Sequence, residues 1–183
     1  MRVSRILTLT VIAFATLIIT GCTPYVITHP LERIIDDSET CTVGSFLDEL
    51  PSDMDPEDKP TMEEMMLFKN TLQDYLEEHE LFYMMDFDES GSDYIIKARL
   101  LEFSRGSGTL RFLLAILPGA AAKIVTSIEL INAKTGEVVF SGNFRGEVTD
   151  WSESGELMYN QVARNFVKAL ERQHKKLLKE SSS

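Results

Sequence analysis

Four patterns in the sequence carry residue types that could do chemistry. Asp86-Phe87-Asp88-Glu89-Ser90-Gly91 begins as a calcium loop does, with side-chain oxygens at positions 1, 3 and 5 and glycine at position 6. Position 8, which should be hydrophobic, is Asp93, and position 12, which should be a bidentate Glu, is Lys97. An ammonium group in place of a ligand repels the metal. A solvated acidic turn is therefore expected, with a calcium-modulated protein as the weaker alternative. Arg105-Gly106-Ser107-Gly108, followed by Arg111, could arrange backbone N–H groups into a nest for an anion. The Lys-Ser/Thr ending of a phosphate loop is missing, and a strand end with a turn accounts for the glycine pair better. His29, His79 and His174 do not have metal-ligand spacing. Ser107 has no assignable histidine or acid. Glu63-Glu64 and Glu77-Glu78 read as helix surface rather than as paired acid and base. No catalytic residue, metal or cofactor is expected.

The fourth pattern is at the start. Met1 to Arg5 is short and positive, Ile6 to Thr20 is an uncharged run, and Gly21 precedes Cys22. A basic start, a short apolar middle and a small-residue cut site describe a secretory signal. At about 1.5 Å per residue the run spans roughly 22 Å, short of a roughly 30 Å hydrocarbon layer. Ile19-Thr20-Gly21-Cys22 resembles the lipobox of bacterial lipoproteins. That resemblance implies cleavage after Gly21, a diacylglycerol thioether on Cys22 and an acylated new amino terminus. Thr23, where Asp would mark retention, resembles the signal for export to the outer membrane. Each buried methylene contributes about 0.8 kcal/mol, so two or three acyl chains hold a protein at a membrane almost permanently.

The elements that would carry these residues follow from periodicity. Residues 22–39 contain Pro24 and Pro30 and read as a tether. Thr40 to Leu47 is rich in β-branched residues and predicts a strand, which favours Cys41 as a buried small hydrophobe over a thiol that pairs with another chain. Asp48 to Pro60, with six acids and three prolines, predicts a solvated loop. Thr61 is an N-cap for a helix from about Met62 to Leu81, with Met65, Phe68, Leu72, Tyr75, Leu76 and His79 recurring at helical spacing. Tyr94 to Phe103 predicts a strand with Ile96, Ala98 and Leu100 on one face. Two further alternating strands, around Ile124–Leu130 and Val138–Phe144, flank Asn132-Ala133-Lys134-Thr135-Gly136, a hairpin connection. A closing helix from about Gly155 to Lys179 carries Met158, Val162, Phe166, Ala169, Leu170 and Leu177. The expected fold is α/β: a mixed four-stranded sheet with two helices packed on one face, in the order β-α-β-(apolar segment)-β-β-α. The division is a signal peptide at 1–21, the tether at 22–39, one α/β domain at 40–179 and a polar tail at 180–183.

From Gly106-Ser107-Gly108-Thr109-Leu110-Arg111, through the apolar run to Pro118-Gly119-Ala120-Ala121-Ala122 and on through the hairpin, the chain resembles a bacterial lipoprotein family known as domain of unknown function 4410. The likeness covers roughly residues 40–178. Ile116-Leu117 stands where the family commonly has Gly-Phe-Gly. The resemblance implies a fold similar to small α/β domains of periplasmic assembly lipoproteins and to the N-terminal domain of the TolB translocation protein. It implies no activity. Within the run, Phe112, Leu113, Leu114, Ile116 and Leu117 have two readings. They form a short buried helix, or they are an exposed patch that meets a partner, a second copy or the lipid interface.

Charge narrows the partners. The 183 residues hold 18 Lys plus Arg and 29 Asp plus Glu, a formal charge of −11. That balance argues against nucleic acid. Residues 32–93 hold 20 acids and 3 bases, while residues 94–183 hold 9 acids and 13 bases. Removing residues 1–21 takes away Arg2 and Arg5 and leaves −13. Such a body should stand off an anionic membrane unless a local patch overrides the repulsion. The expected protein is a non-enzymatic outer-membrane lipoprotein facing the periplasm, anchored through Cys22, that binds or scaffolds envelope components as a homo-oligomer or with an envelope protein. The alternative is an envelope enzyme or small-ligand binder using the Arg105–Arg111 loop.

Overall fold

The structure is a computed structural model that describes residues 24–36, 38–84, 91–106, 121–148 and 156–182. Chain order is β1 (Tyr25–His29), β2 (Thr40–Asp48), a 3-10 turn (Pro56–Asp58), α1 (Met62–Glu78), β3 (Tyr83–Met84), β4 (Tyr94–Ser104), β5 (Ala122–Asn132), β6 (Val138–Val148) and α2 (Glu156–Ser181). The sheet runs β1-β6-β5-β4-β2-β3. β1, β6, β5 and β4 pair antiparallel, whereas β4, β2 and β3 pair parallel. The helix between β2 and β4 is the crossover that parallel neighbours require.

The mixed sheet and the two helices match expectation; the strand count does not. Among the described residues there are six strands rather than four, and the order is β-β-α-β-β-β-β-α. The proposed tether is the main correction. Tyr25–His29 alternates half-buried and exposed positions and pairs with β6, Tyr25 opposite Phe144. Pro24 joins the ladder through its carbonyl, which accepts from the Arg145 N–H at 2.9 Å. Leu31 and Ile35, further along the same stretch, are buried. Apolar side chains this close to a sheet edge gain more by docking than a free linker would by staying mobile. β3 has only two residues, too short to show a period.

The core lies between one sheet face and the two helices. Ile96, Ala98 and Leu100 of β4 are buried, as the alternation predicts. An extra residue in β4 between Leu100 and Glu102 then shifts the phase, so Leu101 turns outward and Phe103 inward. Phe140 and Phe144 of β6 meet Phe166 of α2, the second pair edge-on with centroids 5.4 Å apart. Phe68 of α1 stacks on Tyr159 of α2 at 5.5 Å, which joins the helices. Gly146 permits the closest contact between α2 and the sheet. A Cβ there would lie 2.0 Å from the Met158 carbonyl oxygen. The β5–β6 connection turns at Gly136, with φ +74°. No helix among the described residues is long and apolar enough to cross a membrane.

Candidate functional site

Arg105 closes β4 beside the start of α1. Its guanidinium grips both oxygens of Glu64, the Nη2–Oε2 distance being 2.7 Å, and also donates to the Lys59 and Glu57 carbonyls at 2.9 and 3.3 Å. It stacks over Phe103 with its Cζ 5.3 Å from the ring centroid. Glu64 has a second task. Its Oε2 accepts the Thr61 N–H at 2.7 Å while the Glu64 N–H donates to Thr61 Oγ1 at 3.2 Å, a reciprocal cap on α1. Burial alone would raise the Glu64 pKa, but the bonds from Arg105 and Thr61 outweigh it and hold the carboxyl below its usual range.

Of the expected anion loop, Arg105 and Gly106 are described. Arg105 fastens the Glu57–Glu64 loop to the sheet, and the Gly106 N–H is turned to Ser104 Oγ at 3.2 Å. Ser107, Gly108 and Arg111 lie outside the described residues, as do Cys22, residues 86–90 of the calcium-like loop, and Phe112, Leu113, Leu114, Ile116 and Leu117. Asp93, at position 8 of that loop, is described. It accepts from the Thr40 N–H and Thr40 Oγ1, both at 3.0 Å, and from Lys134 Nζ at 2.8 Å. The Lys134 and Thr40 bonds lower its pKa to about 2. The carboxylate thus ties β2, β4 and the β5–β6 turn together. Nearby, Glu39 pairs with Arg33 and accepts from the Tyr94 hydroxyl at 3.3 Å. His79 caps α1 and faces Glu171 of α2 at 3.8 Å. Cys41 is fully buried in β2, and burial pushes its thiol pKa up, so the thiolate is suppressed.

The sequence reading missed a groove between β2 and α1. It has a volume of about 410 Å³ and is lined by Gly44, Ser45, Phe46, Pro60, Met62 and Met66, among others. Met62 is 78% exposed and Met66 59%. Among the described residues β3 covers only Thr40 and Cys41, so the outer edge of β2 from Thr42 to Asp48 has no strand partner. Between Val43 and Phe46, β2 carries one more residue than β4 opposite it, and this bulge falls on the groove. An unpaired edge beside flexible, polarizable side chains suits a protein segment better than a reacting small molecule. The methionines sat in the predicted helix, but nothing in a single sequence marks the edge.

No family model matches the chain, and no curated protein sequence matches it. Solved structures do match in fold. The PelC dodecamer from Paraburkholderia phytofirmans superposes with a TM-score of 0.59 at 12% identity, covering 81% of this chain and 98% of that one. A point variant of the same dodecamer, in a different crystal form, gives 0.54 at 14%, covering 82% and 95%. Lipoprotein GNA1162 from Neisseria meningitidis matches more loosely, at 0.44 and 12%, covering 75% and 99%. At these identities the likeness to the PelC structures establishes a shared fold.

Proposed function

We propose that the protein is a non-enzymatic, lipid-anchored module of the bacterial outer membrane that works by assembling with further copies of itself. The observation that carries this reading is the Thr42–Asp48 edge of β2, which has no strand partner among the described residues, beside the exposed Met62 and Met66. Such an edge with an apolar flank is a liability in a free monomer, and it is relieved when another chain covers it. A second copy is the chosen occupant because the PelC structure, matched over 98% of its length, is a dodecamer. Cys22 supplies the anchor, and Thr23 directs export to the outer membrane. Phe112, Leu113, Leu114, Ile116 and Leu117 add to the contact.

The test is light scattering on acylated protein extracted from the envelope in mild detergent. The expected result is a multimer that Met62→Glu with Met66→Glu converts to monomer without changing Tm, since both side chains face solvent. A parent protein that is monomeric at all concentrations overturns the assembly reading. Intact mass showing an unmodified thiol at Cys22 overturns the anchor.

A further inference from the structure

The strand found in place of the tether changes where the body must sit. Pro24 already accepts a ladder hydrogen bond, so only Thr23 lies between Cys22 and the sheet. Two residues of fully extended chain reach about 7 Å. A domain fixed this close to a lipid must present some surface to the leaflet, and one face adjoins Pro24 directly. Pro24 and Tyr25 form one wall of a shallow cavity of about 530 Å³, completed by Arg164, Asn165, Lys168 and Arg172 of α2. The three basic residues recur every fourth position and so form one row on the helix, and all three are exposed.

This row differs from the lysines that follow it. Lys175 pairs with Glu171 at 2.6 Å and Lys176 with Glu180 at 3.8 Å. Arg164 and Lys168 form no ion pair among the described residues. Arg172 donates to the Tyr25 hydroxyl at 2.9 Å, a neutral partner that leaves its charge uncompensated and links the row to the anchor-proximal strand. In a chain of net charge −13 after removal of residues 1–21, a basic row beside the anchor, offset only in part by Glu171 near Lys168, is the local patch that can override the repulsion.

We propose that Arg164, Lys168 and Arg172 dock on the anionic phospholipid headgroups of the leaflet that holds the Cys22 lipid, fixing the orientation of the domain on the membrane. The proposal rests on the anchor reading above. A basic residue near an anionic leaflet gains about fivefold in occupancy, so three together favour the docked orientation roughly a hundredfold.

The experiment uses the acylated full-length product reconstituted in phosphatidylcholine vesicles, with or without about one third phosphatidylglycerol. Lysine acetylation is followed by mass spectrometry. Lys97, on the sheet face away from the helices, is the internal control. Acetylation of Lys168 is expected to slow at least about fivefold with phosphatidylglycerol only, and to recover at about 0.5 M salt. Arg164→Gln should weaken that protection and Arg164→Lys should keep it, with Tm unchanged in both. Equal Lys168 rates in the two vesicle types overturn the docking. Protection in native envelopes but not in vesicles also overturns it, since a protein then covers the row. If intact mass shows Cys22 acylated while Lys168 stays unprotected, docking alone fails; a bare thiol removes the anchor reading and the docking together.

Discussion

Gly146 of β6 lies so close to the Met158 carbonyl of α2 that a Cβ would have to sit 2.0 Å from that oxygen. The obstacle is helix backbone, which cannot swing aside like a side chain. Gly146→Ala must therefore push α2 off the sheet and loosen the Phe144–Phe166 contact about two turns further along the helix. The expected cost is about 2–3 kcal/mol, at the upper end of overpacking. Thermal unfolding should show a fall in Tm of roughly 5–10 °C. A change under about 1 °C would mean that α2 does not pack there as described.

Asp93 gives the fold an acid-sensitive joint. Lys134 and Thr40 hold its carboxyl at about 2, well below the roughly 3.9 of an unfolded chain. A depressed carboxyl pKa contributes stability above the unfolded value and loses it as pH falls through the folded one. Asp93→Asn should therefore destabilise the protein near neutral pH by about 1–2 kcal/mol. The deficit should shrink as pH falls from about 4 to about 2. Denaturant melts of both proteins across that range check this, and a constant deficit would place the effect elsewhere.

The Arg105–Glu64 clamp predicts coupling rather than simple loss. Arg105→Ala and Glu64→Ala each remove a partner in one bidentate pair, so their effects should not add. A double-mutant cycle should return about 0.5–1.5 kcal/mol, in the range for a part-exposed pair with good geometry. Additive effects would show that the two side chains act independently.

Cys41 should be inert in the native state. Its sulfur is fully buried and its pKa is raised by burial. A thiol reagent is expected to label it only at the rate of opening, with labelling rising steeply in denaturant. Rapid labelling of Cys41 in the native protein, located by peptide mapping, would show that β2 opens locally.

Strong local periodicity made β4, β5, β6 and both helices legible in the sequence. Ile96, Ala98 and Leu100, and later Phe166, Ala169 and Leu170, sit where their spacing puts them. β1 was missed because Pro24 and Pro30 bracket only five residues. The weak alternation of Tyr25, Val26 and Ile27 makes sense only beside Phe144, far along the chain. The open edge of β2 was hidden for a related reason, since pairing is a property of neighbours rather than of the strand itself. Arg105 suggested an anion loop because two glycines follow it. Its carboxylate partner stands 41 residues earlier, and no local pattern points there.

The pairing of β1 with β6 also sets an order of events. Synthesis begins at the amino terminus, so Tyr25-Val26-Ile27-Thr28-His29 exists long before the strand that will receive it. Until β6 arrives, the backbone of this segment is open on both sides, and the flanking Pro24 and Pro30, which have no N–H to donate, act as gatekeepers against premature pairing. The first strand of the sheet in chain order thus waits for the last one before it can pair.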